Sequence, residues 1–273
     1  MRRAIQELLD DGRSGPIVCH VDLFGAANQV NAGYRRNDIL RAQVDNLQIA
    51  AAERPIWLPT FNYDFPKTGK FDARTSPAQV GPFPEFFRNS VAEWRVPVPI
   101  FSFAGTGTPP SLDPAGEVDA FGKQSIFSEI VRLDGTVLFY GAGVISATIL
   151  HHAESLADGP VYRYEKSFKG SIVTLSGEER QVTLRSHVRP LNRTLAYDGT
   201  RMRNDLLAAR LLHVLPEEEG QISALGARDL VNFWSSRILD DPFYLLDPAT
   251  RNWVEPFCKT LGRRFLISDF EGI

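Results

Sequence analysis

The densest concentration of chemistry-bearing residues is Thr148-Ile149-Leu150-His151-His152-Ala153-Glu154, just after an apolar run and a Gly-rich turn. On a helix, positions three apart share a face, so His151 and Glu154 meet. A carboxylate beside an imidazole raises its basicity and fixes its tautomer, which is what a general base requires. His152 points about 100° away around the same helix, so only one of the two histidines serves with Glu154. On spacing alone, an ordinary ion pair on a solvated helix is the commoner occurrence. A second concentration is His20-Val21-Asp22-Leu23-Phe24-Gly25, at the end of a short apolar run. Ligands of open α/β sheets gather at the carboxyl ends of strands, where His20 and Asp22 could line a site and the amides of 22–24 could hold an acyl oxygen. A strand-terminal turn with a satisfied polar pair is the equal alternative. In residues 60–81, a long loop, the rings of Phe61, Tyr63, Phe65 and Phe71 could stack on the faces of a ligand, with Asp64 and Asp72 attracting a cation. Equally, those rings could simply pack the loop down.

Several common chemistries are missing from the pattern. HExxH is absent, and neither Cys19 nor Cys258 belongs to a CxxC pair, so no metal site is expected. No GxSxG elbow is present. The short Gly-rich segments at 105–107 and 141–143 fall short of a dinucleotide or P-loop fingerprint; the first reads as a turn or a close backbone approach.

The elements that position these residues alternate along the first 155 positions. Residues 16–21 read as a buried strand, and Asn37 as the cap of a helix over 38–53. A strand follows at 55–59, then the long loop 60–81 and a helix starting at Pro84. Residues 100–104 read as a strand, Ser125 as the cap of a short helix ending near Arg132, and 136–140 as a buried strand. A helix from Ala147 or Thr148 then carries His151 and Glu154. Later, 171–176 and 181–188 read as paired strands, and 228–239 as a helix. The expected fold class is α/β, one domain over 1–273 in three layers, with a mixed sheet flanked by helices.

With 273 residues, the chain is long enough to bury a sizeable core. Its net charge of −3 gives no bulk attraction to nucleic acid or to an anionic membrane. The start, MRRAIQELLDDG, reads as a short amphipathic helix rather than a signal peptide, and no apolar run approaches the ~20 residues of a membrane span. Two isolated cysteines give no disulfide framework, and the cytoplasm is the default compartment.

Taken in order, these segments resemble the aminoglycoside 3-N-acetyltransferase family, whose fold is unrelated to that of GCN5-type acetyltransferases. The resemblance runs over about 16–164, with a weaker echo at 228–246. It is carried by His20-Val21-Asp22-Leu23 with Gly25, by Leu58-Pro59-Thr60-Phe61, and by Phe71-Asp72 with Ser76-Pro77, Gly81 and Glu85-Phe86-Phe87-Arg88. Pro99, Ser102-Phe103, Gly105, Gly122 and Ser125 follow, and then Thr148, His151 and Glu154 in the family's Thr-x-x-His-x-x-Glu spacing. Two departures stand out. Val21 and Asp22 replace the hydroxyl residues usual after the first His, and Arg95-Val96-Pro97-Val98-Pro99 lacks the family's His.

The resemblance implies transfer of an acyl group from coenzyme A, as acetyl-CoA, to an amine of an amino sugar, with His151 as base and Glu154 supporting it. By the same token His20, Asp22, Leu23, Phe24, Ser102, Phe103 and Ser125 would hold the coenzyme, and Tyr63, Asp64, Asp72, Glu85 and Thr148 the acceptor. The acceptor is an aminoglycoside or a sugar or nucleotide-sugar of glycan biosynthesis. Nucleic acid and membrane are not expected partners; a homodimer is an assembly the resemblance allows. Two other readings stand beside this one: an amino-sugar or nucleotide-sugar binding protein that has lost the chemistry, and a transferase using another donor, such as a longer acyl-CoA or a formyl-folate.

Overall fold

The protein is described by a computed structural model covering residues 2–26, 35–216 and 221–272. At its centre β1 (Ile17–Val21) lies parallel to β2 (Ile56–Pro59) on one side and to β7 (Thr136–Tyr140) on the other. All three are apolar almost without alternation, because both faces of a central parallel strand are covered. The sheet continues antiparallel at both ends: β11 (Ile222–Gly226) and then β10 (His213–Val214) beyond β7, and β5 (Phe103–Gly105) and then β4 (Trp94–Arg95) beyond β2.

Side-chain alternation sorts the two faces. Ile17, Cys19, Ile56, Leu58, Leu138 and Tyr140 point to the side covered by α1 (Arg2–Leu9), α2 (Arg36–Ala51) and α4 (Pro82–Ser90). Val18, Trp57, Val137 and Phe139 point to the other, where they meet α5 (Ile126–Arg132), α6 (Leu150–Leu156) and α8 (Ala227–Asp240). That second core is closed by a separate four-stranded sheet, β3 (Lys70–Asp72), β8 (Tyr164–Val173), β9 (Glu179–Val188) and β6 (Gly116–Asp119), in the order β3-β8-β9-β6. β8 and β9 form a long hairpin, paired from Tyr164↔Val188 to Val173↔Glu179. After it come α7 (Gly199–Ala208) and α9 (Pro248–Leu261), the latter packed on Tyr162, Tyr164 and Phe265.

The expected mixed sheet flanked by helices is present, and Ser125 caps α5 by accepting the Ser128 amide at 3.3 Å. Several local expectations are corrected. Arg35, not Asn37, holds the N-cap of α2, with no capping side chain. The loop over 60–81 contains α3 (Phe65–Thr68) and β3. The strand expected at 100–104 is confined to Phe103–Gly105, since Ile100 takes a left-handed φ of 65°. The paired strands are longer than expected, and α7 and α9 were not foreseen. Gly105 does permit a close approach: a Cβ there would lie 2.4 Å from the Trp94 ring and 2.7 Å from that of Trp57. Both cysteines are buried free thiols. Among the described residues, no helix is long and apolar enough to cross a membrane.

The turns that follow β1 and β7 interlock at the carboxyl ends of the two strands. A Cβ on Gly25 would lie 2.1 Å from the Gly141 carbonyl oxygen, and one on Gly141, whose φ is +75°, would lie 2.0 Å from that of Asp22. Gly141→Ala therefore combines left-handed strain with a backbone clash. The expected loss is at least about 1–3 kcal/mol; a denaturant midpoint equal to wild type would show that the two turns do not depend on each other.

Candidate active site

α6 is only seven residues long, and Leu150, His152, Ala153 and Glu154 are all buried in it. Its inward face is thus unusually polar, and each polar group has a partner. His151 Nδ1 lies 2.7 Å from Glu154 Oε2, as the three-residue spacing requires. His152 turns the other way, with its Nδ1 2.7 Å from the Phe121 carbonyl oxygen. The His151 side chain keeps 16 % of its surface exposed, whereas that of Glu154 keeps 1 %.

Glu154 is held by groups that sequence spacing did not reveal. The Tyr162 hydroxyl donates to Oε1 at 2.6 Å, and the Tyr197 hydroxyl approaches the same oxygen at 3.3 Å. Arg163 Nε stands 3.8 Å from Oε2. Burial would raise the carboxyl pKa, but the proton on His151, the Arg163 charge and the Tyr162 hydrogen bond outweigh it and hold Glu154 well below the usual range. Burial also dominates at His151, where Arg163 and Arg189 add to it against the pull of Glu154, so the imidazole pKa lies below its ordinary value. The pair at neutral pH is therefore a carboxylate and a neutral imidazole. The one signal available for two of these partners was the run Tyr162-Arg163-Tyr164, an arginine between two aromatics; nothing marked Tyr197.

A continuous run of rings leads away from the dyad: Tyr197 and His151 at 6.3 Å, His151 and Phe121 at 4.9 Å, Phe121 and Phe101 at 4.7 Å, Phe101 and Phe61 at 5.5 Å, and Phe61 and Tyr63 at 6.5 Å. Of the four loop aromatics, Phe61, Phe65 and Phe71 are buried in the core and offer no face to a sugar; Tyr63 is 48 % exposed. The expected acceptor acids are engaged within the protein. Asp72 holds Arg74 through both oxygens; Glu85 binds Arg88, Asn89 and the Ala78 amide; Asp64 takes Gln79 and Asn62. Thr148 lies half-buried before α6, and its carbonyl accepts the His151 amide at 3.0 Å.

The residues expected to hold coenzyme A fall into two groups. Asp22, Leu23 and Phe24 line a largely apolar cavity of about 850 Å³, together with Arg36, the start of α4 and residues 142–146. Phe24 is 93 % exposed. The amides of Asp22 and Phe24 are already used, on the Tyr140 carbonyl and the Asp22 carboxylate, which corrects their expected role as oxyanion donors. The second group is built into the fold. His20 is buried against Phe139, and burial lowers its pKa to about 4. Phe103 is fully buried, and Ser102 Oγ donates to the Val96 carbonyl while accepting from Arg95 Nε. Ser125 lines a different cavity, beside Lys123 and Asp119. Arg95 itself, inconspicuous in the sequence, reaches the carbonyls of Thr60, Ala73 and Ser76 and so ties the 60–76 loop to the sheet edge. Among the described residues, no cluster of acids, histidines or cysteines could hold a metal ion.

With this geometry in place, comparison with known proteins gives a family. Residues 42–238, well over half of the chain, match the family described as aminoglycoside 3-N-acetyltransferase. The chain belongs to that family. A curated relative, aminoglycoside N(3)-acetyltransferase VII of Streptomyces paromomycinus, is 36% identical over 86 residues, a stretch covering 31% of this chain and under a third (30%) of that protein. The fold is also that of aminoglycoside 3-N-acetyltransferases. The crystal structure of AAC(3)-Xa superposes with a TM-score of 0.67 at 21% identity, covering 88% of this chain and 92% of the other. AAC-IIIb, in a binary structure with CoASH, gives 0.68 at 18% identity, covering 88% and 96%.

The pH dependence of stability follows from the held carboxylate. Glu154 has a folded pKa below its unfolded value of about 4.3. Its charge therefore contributes stability that is complete above that value and is lost as the pH falls through the folded pKa. The stability difference between wild type and Glu154→Gln that the carboxylate contributes should be fully present above about pH 5 and shrink as the pH falls below the unfolded carboxyl value. Denaturant melts across that range check it; a difference that stays flat down to pH 2 means Glu154 is not held ionised.

Proposed function

We propose that the chain is a single acyl-CoA-dependent N-acyltransferase unit that acetylates an amine of an amino sugar, either an aminoglycoside or a sugar or nucleotide-sugar amine, in the cytoplasm. The observation that carries this reading is the buried Glu154 behind a partly exposed neutral His151, in a chain of this family. A protonated amine is no nucleophile. His151 Nε2, with Nδ1 held by Glu154, removes a proton as the amine nitrogen attacks the thioester carbonyl. The C–N bond forms, the C–S bond breaks, one of the ammonium's two surplus protons passes through His151 to the departing thiolate and the other goes to solvent, leaving amide and free coenzyme A. In this reading Thr148, one turn before the base, and the exposed ring of Tyr63 meet the acceptor.

The cavity beside the Asp22–Phe24 turn suits the acyl donor: its walls are apolar, and Arg36 supplies a cation for phosphate. Asp22 is the poor fit, a carboxylate lining a groove meant for a polyanion. Asp22→Ser keeps a side-chain oxygen for the Phe24 amide and removes the charge, so acetyl-CoA should bind more tightly by calorimetry. Weaker binding would instead put Asp22 against a cation, such as the acceptor's ammonium.

Turnover is tested by thiol release from acetyl-CoA across a panel of amino-sugar acceptors. His151→Ala should lower kcat by ~10²–10⁴ while leaving acetyl-CoA affinity nearly unchanged, since a base acts in the transition state. His152→Ala, whose ring faces Phe121, should lose stability and keep turnover per folded molecule. Silence of the wild type across the panel, without donor binding, would favour a binding protein that has lost the chemistry.

A further inference from the structure

Glu154 brings a negative charge into a place with almost no solvent, a cost of several kcal/mol unless each oxygen is met. The way it is met is directional. Arg163 makes no hydrogen bond to the carboxylate; its Nε and its second terminal nitrogen both donate to the Tyr197 hydroxyl, at 3.2 and 2.5 Å, and its guanidinium stands 5.7 Å over the Tyr197 ring. A phenol oxygen receiving those donors has its own proton left to give. The nearest acceptor is Glu154 Oε1, at 3.3 Å, which already takes the Tyr162 hydroxyl at 2.6 Å. Oε1 is thus occupied by two hydroxyl protons, and Oε2 is the oxygen presented to His151. An ionised oxygen there demands a proton on Nδ1, which leaves Nε2 bare.

We propose that Arg163 and Tyr197 are positioning residues of the acylation reaction: the guanidinium orients the Tyr197 hydroxyl, the hydroxyl orients Glu154, and Glu154 sets the tautomer of His151. This rests on the reading of His151 as general base. The same chain of contacts sets when the base is available. Arg163 stands 3.8 Å from the oxygen that His151 uses, so its permanent charge competes with a proton on the imidazole. The other charged or titratable groups around the dyad are Tyr162, just before β8, Arg189, one residue past β9, and His187 on β9. The last register pair of the hairpin is Tyr164↔Val188, so Arg163 and Arg189 flank it on neighbouring strand ends. Burial, with these two fixed cations added to it, outweighs the one carboxylate and keeps the resting imidazole neutral.

Two measurements on Arg163→Met, Arg163→Lys and Tyr197→Phe test this: the His151 titration by NMR, and the pH dependence of kcat/KM for thiol release. Losing the cation should move the His151 midpoint, and with it the acidic limb of the rate profile, upward by about 1 unit in Arg163→Met. Glu154→Gln should move both downward. Arg163→Lys should keep the midpoint near wild type and lower kcat, because the charge remains and the fork onto Tyr197 is lost. Tyr197→Phe should do likewise, since both charges stay while the orienting hydroxyl goes. A lowered melting temperature with an unchanged His151 midpoint in Arg163→Met, or unchanged kcat in both Arg163→Lys and Tyr197→Phe, overturns the proposal and leaves Arg163 a purely structural residue. If Arg163→Met does not fold, the Lys and Phe variants decide through kcat. The NMR midpoint is independent of turnover, so failure of the base reading would show separately, as activity retained in His151→Ala.

Discussion

A carboxylate with no access to water is the constraint around which the site is organised. Left alone, Glu154 would take up a proton or pull its surroundings apart, because the protein interior solvates charge poorly. Instead, the chain brings two phenol hydroxyls, a guanidinium and an imidazole to it from three separate stretches, 151–154, 162–163 and Tyr197. Each needs its backbone in place. The hairpin of β8 and β9 must start at Tyr164, α7 must begin at Gly199 just beyond Tyr197, and α6 must turn its inward face to both. The four-stranded sheet, which closes the core on one face of the parallel strands, thereby also becomes part of the frame that holds Glu154.

The seven-stranded sheet borders the proposed donor groove. Its parallel centre ends in two turns so close that neither Gly25 nor Gly141 has room for a side chain, and beside them opens the apolar cavity lined by Leu23 and Phe24. Ala142, Gly143, Ile145 and Ser146 line that cavity and the chain reaches α6 at Leu150, so one short connection joins the proposed donor groove to the proposed base. The close packing of the two turns fixes the start of that connection.

How much of this could be read from residue order differed from feature to feature. Strands β1, β2 and β7 stood out because burial on both faces makes them continuously apolar, and the pairing of His151 with Glu154 followed from helical spacing alone. Ser125 was recognisable because a capping hydroxyl is a local signal. By contrast, the partners of Glu154 come from 8, 9 and 43 positions further along, a relation no local pattern encodes. The aromatic loop misled for a related reason: Phe61, Phe65 and Phe71 are spaced as a binding surface could be, yet Arg95 draws the loop inward by its carbonyls and turns those rings into core. Acids such as Asp72 and Glu85 look available in a string of letters, but each has an arginine within three residues that claims it.

The C-terminal stretch, which follows the residues matched to the family, lies directly behind the partners of Glu154. Phe265 donates its amide to the Val161 carbonyl, Phe270 stacks on Tyr164 at 5.8 Å, and Glu271 takes both the Tyr164 hydroxyl and Lys166. Arg163 sits in the middle of the segment so gripped. A side chain exchanged in that tail would act on the scaffold of the proposed base through its contacts with Val161, Tyr164 and Lys166. Within such a family, differences in working pH or speed can thus be inherited through residues that a comparison confined to the pocket walls would pass over.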